Sequence, residues 1–291
     1  MWLSLALAAA PPPIVNGELT DDYPEVGLLR HTTADGRVAF VCTGTLVTPT
    51  VVLTAAHCLD DVEGYNLTDV RVFSGSVWTD EAPERPASRW TMHPDYAVSD
   101  DGLTIVADLG LVWLDEPYTL DGYPLNAQPV TGDDVGTYFR YVGWGSSSDT
   151  VNDQGYFKRV ADIPLAALEG EFLLAHDGDD GAATCGGDSG APVFELSGGR
   201  ATAIAAVHSF GRDDDGTICA GSTSGDTRAD LYRDWIVDEA GAATDEAVAE
   251  TKDPVGQDDD ETAATCSLLP VEAAGGVALL GIVAARRRRP R

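Results

Sequence analysis

Between Ile14 and about Ala240 the chain is a succession of short β-favouring runs broken by turn residues. RVAFVCTGTLV, TVVLTAA, DVRVFSG, GLVWL, YFRYVGWG, APVFEL and TAIAAVHSF are rich in Val, Ile, Phe, Tyr and Thr, and Gly, Asp and Pro separate them. Such side chains suit a pleated, half-buried surface and lose rotamer freedom in a helix. No helical period appears until YRDWIVDEA, which predicts a closing helix. Strands that do not alternate with helices do not build a parallel α/β sheet, so the pattern predicts an all-β chain of barrels. A stretch of about 225 residues has room for one or two of them.

Apolar residues make up 44% of the 291, enough for a sizeable core. The formal net charge is −30, which excludes a nucleic-acid partner, because phosphate binding needs a basic face. The charge reads as solubility in an exposed or salty setting. The cysteines are Cys42, Cys58, Cys185, Cys219 and Cys266. None has the CxxC or Cys/His spacing of a zinc site, so no metal and no cofactor are expected. Two disulfides and one odd cysteine suit an exported protein.

Both ends read as processing segments. MWLSLALAAA, before Pro11, Pro12 and Pro13, resembles the core and cleavage region of a secretory signal, so residues 1–13 are assigned to a signal or pro-segment. The stretch lacks a positive n-region, which leaves two readings: a weak signal, or a true start upstream of Met1. Residues 241–265 are rich in Ala, Asp, Glu and Thr with no aromatic, and predict a disordered acidic linker. In residues 266–291, the run Ala273–Ala285 is apolar or glycine and precedes Arg286, Arg287, Arg288 and Arg289. That run falls short of the roughly 20 residues of a full span, but with the arginines it fits a stop-transfer or sorting tail in contact with a membrane.

Chemistry concentrates at AATCGGDSGAP, Ala182–Pro192. A serine attacks a carbonyl only when a base removes its proton and donors await the oxyanion. At Ser189 the flanking glycines allow the amides of Gly187 and Ser189 to point into one cavity. Of His31, His57, His93, His176 and His208, the candidate base is His57, because it follows an apolar run and adjoins Cys58, where a disulfide would fix its backbone. Asp108, in TIVADLGLVWL, has apolar sequence on both sides. A carboxylate there is costly to bury unless paired, which singles it out from the acids of solvated loops such as Asp213–Asp215.

IVNGE at Ile14, TAAHC at Thr54–Cys58, DLGLVWL at Asp108, GWG at Gly143–Gly145, GDSGAP at Gly187–Pro192 and TRADLYRDWI at Thr227–Ile236 follow one another in the order found in chymotrypsin/trypsin-like serine proteases. The chain resembles that family over roughly residues 14–240. The order His, Asp, Ser differs from the subtilisin and α/β-hydrolase orders. The resemblance implies two packed six-stranded antiparallel β-barrels, about 14–130 and 131–240, with a short C-terminal helix. It implies a secreted or surface-anchored serine endopeptidase acting on proteins or peptides as a monomer. Ser189 would be the nucleophile, His57 the base, Asp108 the orienting carboxylate, and Gly187 and Ser189 the oxyanion donors. It implies the pairings Cys42–Cys58 and Cys185–Cys219, and an on-switch in which the freed amine of Ile14 meets Asp188. The tail resembles bacterial C-terminal sorting tails, notably the myxobacterial type, with Cys266 as a modification point. The competing reading is a catalytically silent protease fold serving as a binding module.

Four departures from the family pattern bear on function. No Arg or Lys precedes Ile14, so an activating protease of another preference, a different start or a different activation is required. No cysteine lies in HDGDDGAAT, so the family's disulfide upstream of the nucleophile is missing and its loop is expected to be more mobile. Ala191 replaces a more usual glycine. The base of the primary pocket falls at Ala183 beside Thr184, with Ser209 at its mouth and Gly211 and Gly225 as walls. An open pocket of that kind favours large apolar or aromatic side chains. Asp226 either faces solvent or caps a turn, or else points into the pocket and restores a preference for Arg or Lys.

Overall fold

The structure is a computed structural model, and it describes residues 14–60, 67–99, 104–148, 150–151, 153–176, 181–212 and 219–250, with backbone alone at 67 and 242–250. The signal segment 1–13, the loop Asp213–Asp215, the upstream loop at 177–180, and the linker and tail from 251 onward lie outside the described residues.

The first strands are β1 (Glu18–Leu19), β2 (Val26–Thr33), β3 (Val38–Thr48), β4 (Val51–Thr54), β5 (Leu67–Ser74) and β6 (Arg85–Met92). A small hairpin of β7 (Ala97–Val98) and β8 (Ile105–Val106) precedes β9 (Gly110–Leu114). The order β2-β3-β4-β9-β6-β5 closes into a barrel. Then follow β10 (Tyr138–Gly143), β11 (Arg159–Glu169), β12 (Phe172–His176), β13 (Pro192–Ser197), β14 (Arg200–Arg212) and β15 (Thr223–Arg228). They run β11-β10-β13-β14-β15-β12, and β12 returns to pair with β11, closing a second six-stranded barrel. Closure removes open edges that would otherwise template aggregation.

All seven runs singled out in the sequence lie on strands, at β3, β4, β5, β9, β10, β13 and β14. β4 and β9 are buried on both faces, and their side chains fill the first barrel with Leu29, Leu46 and Val72. The second core holds Phe139, Tyr141, Ile163, Leu165 and Val193.

The ends of the domain cross over. Residues 14–19, expected with the first barrel, pack instead on the second: Val15 bridges Ala183, and Glu18 pairs with Val160 of β11. The closing helix α1 (Arg233–Glu250) packs Ile236 and Ala240 into the first barrel's core. Tyr232, just before it, and Trp235 meet His93 edge-on. The helix continues past Gly241 into the segment read as disordered linker, where Ala and Glu favour helix propagation once a packed first turn supplies the nucleus. Among the described residues no helix is long and apolar enough to cross a membrane.

Leu111 of β9 is fully buried in the first barrel. Leu111→Ala is expected to lower stability by about 2–5 kcal/mol, read from the urea midpoint, because the packed barrel cannot collapse around the void.

Candidate active site

His57 sits in a tight turn, Ala56–Cys58, directly after β4. Ala55, Ala56 and Cys58 are buried, and the Cys42–Cys58 disulfide ties the turn to β3. Asp108 is fully buried just before β9, after Ala107 in a left-handed conformation at φ 49°. Its carboxylate accepts three hydrogen bonds. The backbone N–H of His57 donates to Oδ1 at 2.8 Å, His57 Nδ1 lies 2.8 Å from Oδ2, and Ser209 Oγ donates to Oδ2 at 2.5 Å. Burial works against both charges, but the pair overcomes it. The charge and hydrogen bond of Asp108 hold His57 above its ordinary value, and His57, Ser209 and the backbone hold Asp108 below its own.

The loop before Asp108 is fastened to the second barrel. Ala107 N–H donates to Glu171 Oε1 at 2.8 Å, and Tyr232 Oη donates to the other oxygen of Glu171. Nothing in the sequence pattern marked Glu171, whose role depends on contacts across 64 residues.

Ser189 occupies a turn pinned against the first barrel. Thr43 N–H donates to Ser189 O at 2.7 Å and Thr43 Oγ1 donates to Gly187 O at 3.0 Å. The turn requires φ of 99° at Gly187 and 82° at Gly190. A Cβ at Gly190 would stand 2.1 Å from Thr54 Oγ1 and 2.2 Å from Thr43 O, so glycine is what lets the turn reach the strand end two residues before the His57 turn. Ser189 and His57 are both part-exposed, while their supports are buried. Among the described residues, neither the Gly187 nor the Ser189 N–H donates to a protein acceptor.

Asp188 is fully buried and accepts from the N–H groups of Gly145 at 2.8 Å and Cys185 at 2.9 Å. Burial pushes its carboxyl up to about 6 in spite of those bonds and the charges of His208 and Arg159. Ile14 is buried, and Val15 O accepts from Ala183 N–H at 3.1 Å, which docks this segment beside the Ser189 turn. In the unprocessed chain Ile14 is in peptide linkage to Pro13, so it carries no amino-terminal charge, and Asp188 has no ion-pair partner among the described residues.

The expected pocket residues need two corrections. Asp226 neither faces solvent nor caps a turn: it is fully buried within β15, and its oxygens accept from Tyr141 Oη at 2.5 Å and Ser224 Oγ at 2.6 Å, with His208 Nδ1 at 2.8 Å. Gly225 does not leave open space, because the ring of Phe210 lies where a Cβ would be, 2.2 Å from its nearest atom. Gly211 pairs with Ser224, and Ala183, Thr184 and Ser209 are buried. The second disulfide, Cys185–Cys219, joins the Ser189 turn to the segment entering β15. His208 is a buried member of the Asp226 cluster that no motif marks. The signal was there in TAIAAVHSF, a titratable residue inside an apolar strand, the same argument that singled out Asp108.

Cys42, His57 and Cys58 are the one group of metal-binding side chains found close together among the described residues. The two sulfurs are bonded to each other and offer no thiolate.

The family profile described as Trypsin matches residues 14–236. The chain belongs to the trypsin family. It is 29% identical to brachyurin of Leptuca pugilator over 215 residues, covering 69% of this chain and 88% of brachyurin. It is 30% identical to collagenase of Hypoderma lineatum over 251 residues, covering 78% of this chain and 87% of the collagenase. Phenoloxidase-activating factor 3 of Holotrichia diomphalia is 29% identical over 260 residues, covering 77% of this chain and 71% of the factor. The solved structure of HL collagenase superposes with a TM-score of 0.58 at 24% identity, covering 78% of this chain and 98% of its own, and shows the shared fold.

Asp188 ionises near 3.8 unfolded and near 6 folded, so its raised value is a cost to stability that is fully present above pH 6 and gone below pH 3.8. With the residues before Ile14 attached, the parent is expected to gain roughly 2 kcal/mol on Asp188→Asn as pH falls from about 7 to 4, read from paired urea titrations.

Proposed function

We propose that the chain is an exported serine endopeptidase whose reaction is carried by Ser189, His57 and Asp108. One observation carries the reading: a buried carboxylate, held by donors from both barrels, fixes His57, while the glycine turn of Ser189, its amides unengaged, packs against Thr43 and Thr54 next to the His57 turn. Ser189 Oγ attacks the scissile carbonyl as His57 Nε2 takes its proton. The developing oxyanion accepts from the N–H groups of Gly187 and Ser189. His57 then gives the proton to the leaving amine, the C–N bond breaks and an acyl-enzyme remains. Water repeats the sequence, with His57 as base and Ser189 as leaving group. Asp108 stays ionised throughout, keeping the Nδ1 proton in place and stabilising the imidazolium.

Activation follows from Asp188. A buried carboxylate without a cation is costly, and a freed Ile14 amine would supply the cation beside the oxyanion donors. Pro13 before the cut implies an activating protease that does not read Arg or Lys. Two disulfides support an oxidising, extracellular setting for a monomer acting on proteins or peptides. Anchoring through the tail at 266–291 remains part of this proposal, resting on its apolar run and arginine cluster.

Protein freed at Ile14 is expected to hydrolyse peptides, and Ser189→Ala to lose roughly 10⁴–10⁶ in turnover. Equal rates for the two overturn the assignment. Because His57 acts only when neutral and its value is raised, kcat/KM is expected to rise with pH through that raised value. Asp108→Asn lowers turnover on the order of 10⁴ near neutral pH.

A further inference from the structure

Successive side chains of a strand point to opposite faces, and β14 uses both at this site. Ser209 faces Asp108, and its neighbour His208 is turned into the second barrel, 3% exposed. There His208 belongs to a second His–Asp–Ser cluster. Nδ1 lies 2.8 Å from Asp226 Oδ1 and 3.0 Å from Ser224 Oγ, Ser224 donates to Asp226, and Tyr141 donates to the other carboxylate oxygen. A carboxylate facing Nδ1 fixes a proton on that nitrogen. Nε2 is thereby left as the reactive face of the ring, and it has no hydrogen-bond partner among the described residues.

This cluster adjoins the nucleophile. His208 O accepts from Gly190 N–H and His208 N–H donates to Ala191 O, both at 2.8 Å, one and two residues from Ser189. A second unused group lies on the same path. Thr184 is 1% exposed, its Oγ1 has no partner, and the Cys185–Cys219 disulfide ties its neighbour to the segment that enters β15 with Ser224 and Asp226. Two polar groups left without partners beside a nucleophile call for a ligand that supplies acceptors.

We infer that the residue preceding the cut bond is acidic, glutamate or aspartate, its carboxylate accepting from His208 Nε2–H and Thr184 Oγ1–H. The inference deepens the endopeptidase reading and rests on it. Asp226 faces Nδ1 of His208 as Asp108 faces Nδ1 of His57, and a substrate carboxylate facing Nε2 would hold a second proton on the far side of the ring. The other charged or titratable groups near His208 are Tyr141, on the far side of Asp226, and buried Asp188, whose own field includes Arg159. An Arg or Lys side chain would find Asp226 already engaged on both oxygens and would meet the imidazole first. An aromatic or aliphatic side chain would bury the Thr184 hydroxyl and Nε2 without partners.

The test uses the chain from Ile14 to Arg291, released from a removable amino-terminal fusion. A fluorophosphonate with no side-chain preference reports the fraction carrying a reactive Ser189. Peptides differing only in the residue before the cut report the pocket. The expected result is labelling together with a kcat/KM for Glu or Asp on the order of 10–100-fold above that for Gln or Asn, per labelled enzyme. Thr184→Val and His208→Ala are each expected to lower that ratio about tenfold, and if His208→Ala fails to fold, Thr184→Val alone decides. Labelling with a preference for Arg, Lys, Phe, Tyr or Leu overturns this inference and leaves the endopeptidase reading standing. An acidic preference unchanged in Thr184→Val overturns the assignment of Thr184 and, if unchanged in His208→Ala as well, the whole inference. Absence of both labelling and cleavage overturns both readings.

Discussion

Asp108 is the buried charge on which the two barrels must agree. A carboxylate removed from water survives only where donors replace the lost hydration. Here the donors come from both halves: the turn after β4 supplies the backbone and side chain of His57, and β14 of the second barrel supplies Ser209. Separating the barrels would strand the charge, so the geometry of the pair and the packing of the halves stand or fall together. Glu171 reinforces the joint by holding the peptide just ahead of Asp108 from the second barrel.

The same economy appears at the Ser189 turn. Thr43 of the first barrel holds Ser189 and Gly187 through its N–H and hydroxyl, and that hydroxyl also accepts from Trp144 N–H at 3.1 Å. A single threonine thus couples β3, the end of β10 and the Gly187–Gly190 turn. Gly190 permits the approach because no side chain intervenes between the turn and Thr54. Precision at the site comes from strands rather than loops, which is what holding reacting groups to within a fraction of an ångström requires.

What was legible in the sequence was local. The β runs could be read because Val, Ile, Phe and Tyr alternate with turn residues, and the isolation of Asp108 in apolar sequence marked it for a buried partner. The Asp226 cluster was not legible. It forms from Tyr141, His208, Ser224 and Asp226, which meet only through the pairing of β14 with β15 and the position of β10 across the barrel. No short window contains that register. Gly225 misled for a related reason: an absent side chain suggested space, and a ring from the neighbouring strand fills it. The helix ran on past Gly241 because composition that cannot build a core of its own can still extend a helix already anchored by Ile236 and Ala240.

The Cys42–Cys58 bridge has a reach beyond the turn it closes. Cys42 is the residue before Thr43, and Cys58 is the residue after His57. One covalent ring therefore contains both the imidazole and the strand that anchors the serine turn. A thiol reductant would slacken the His57 turn and the Ser189 turn in a single event. The useful lifetime of such a protein is set by the redox state of its surroundings, and leakage into a reducing compartment would disarm it without any dedicated inhibitor.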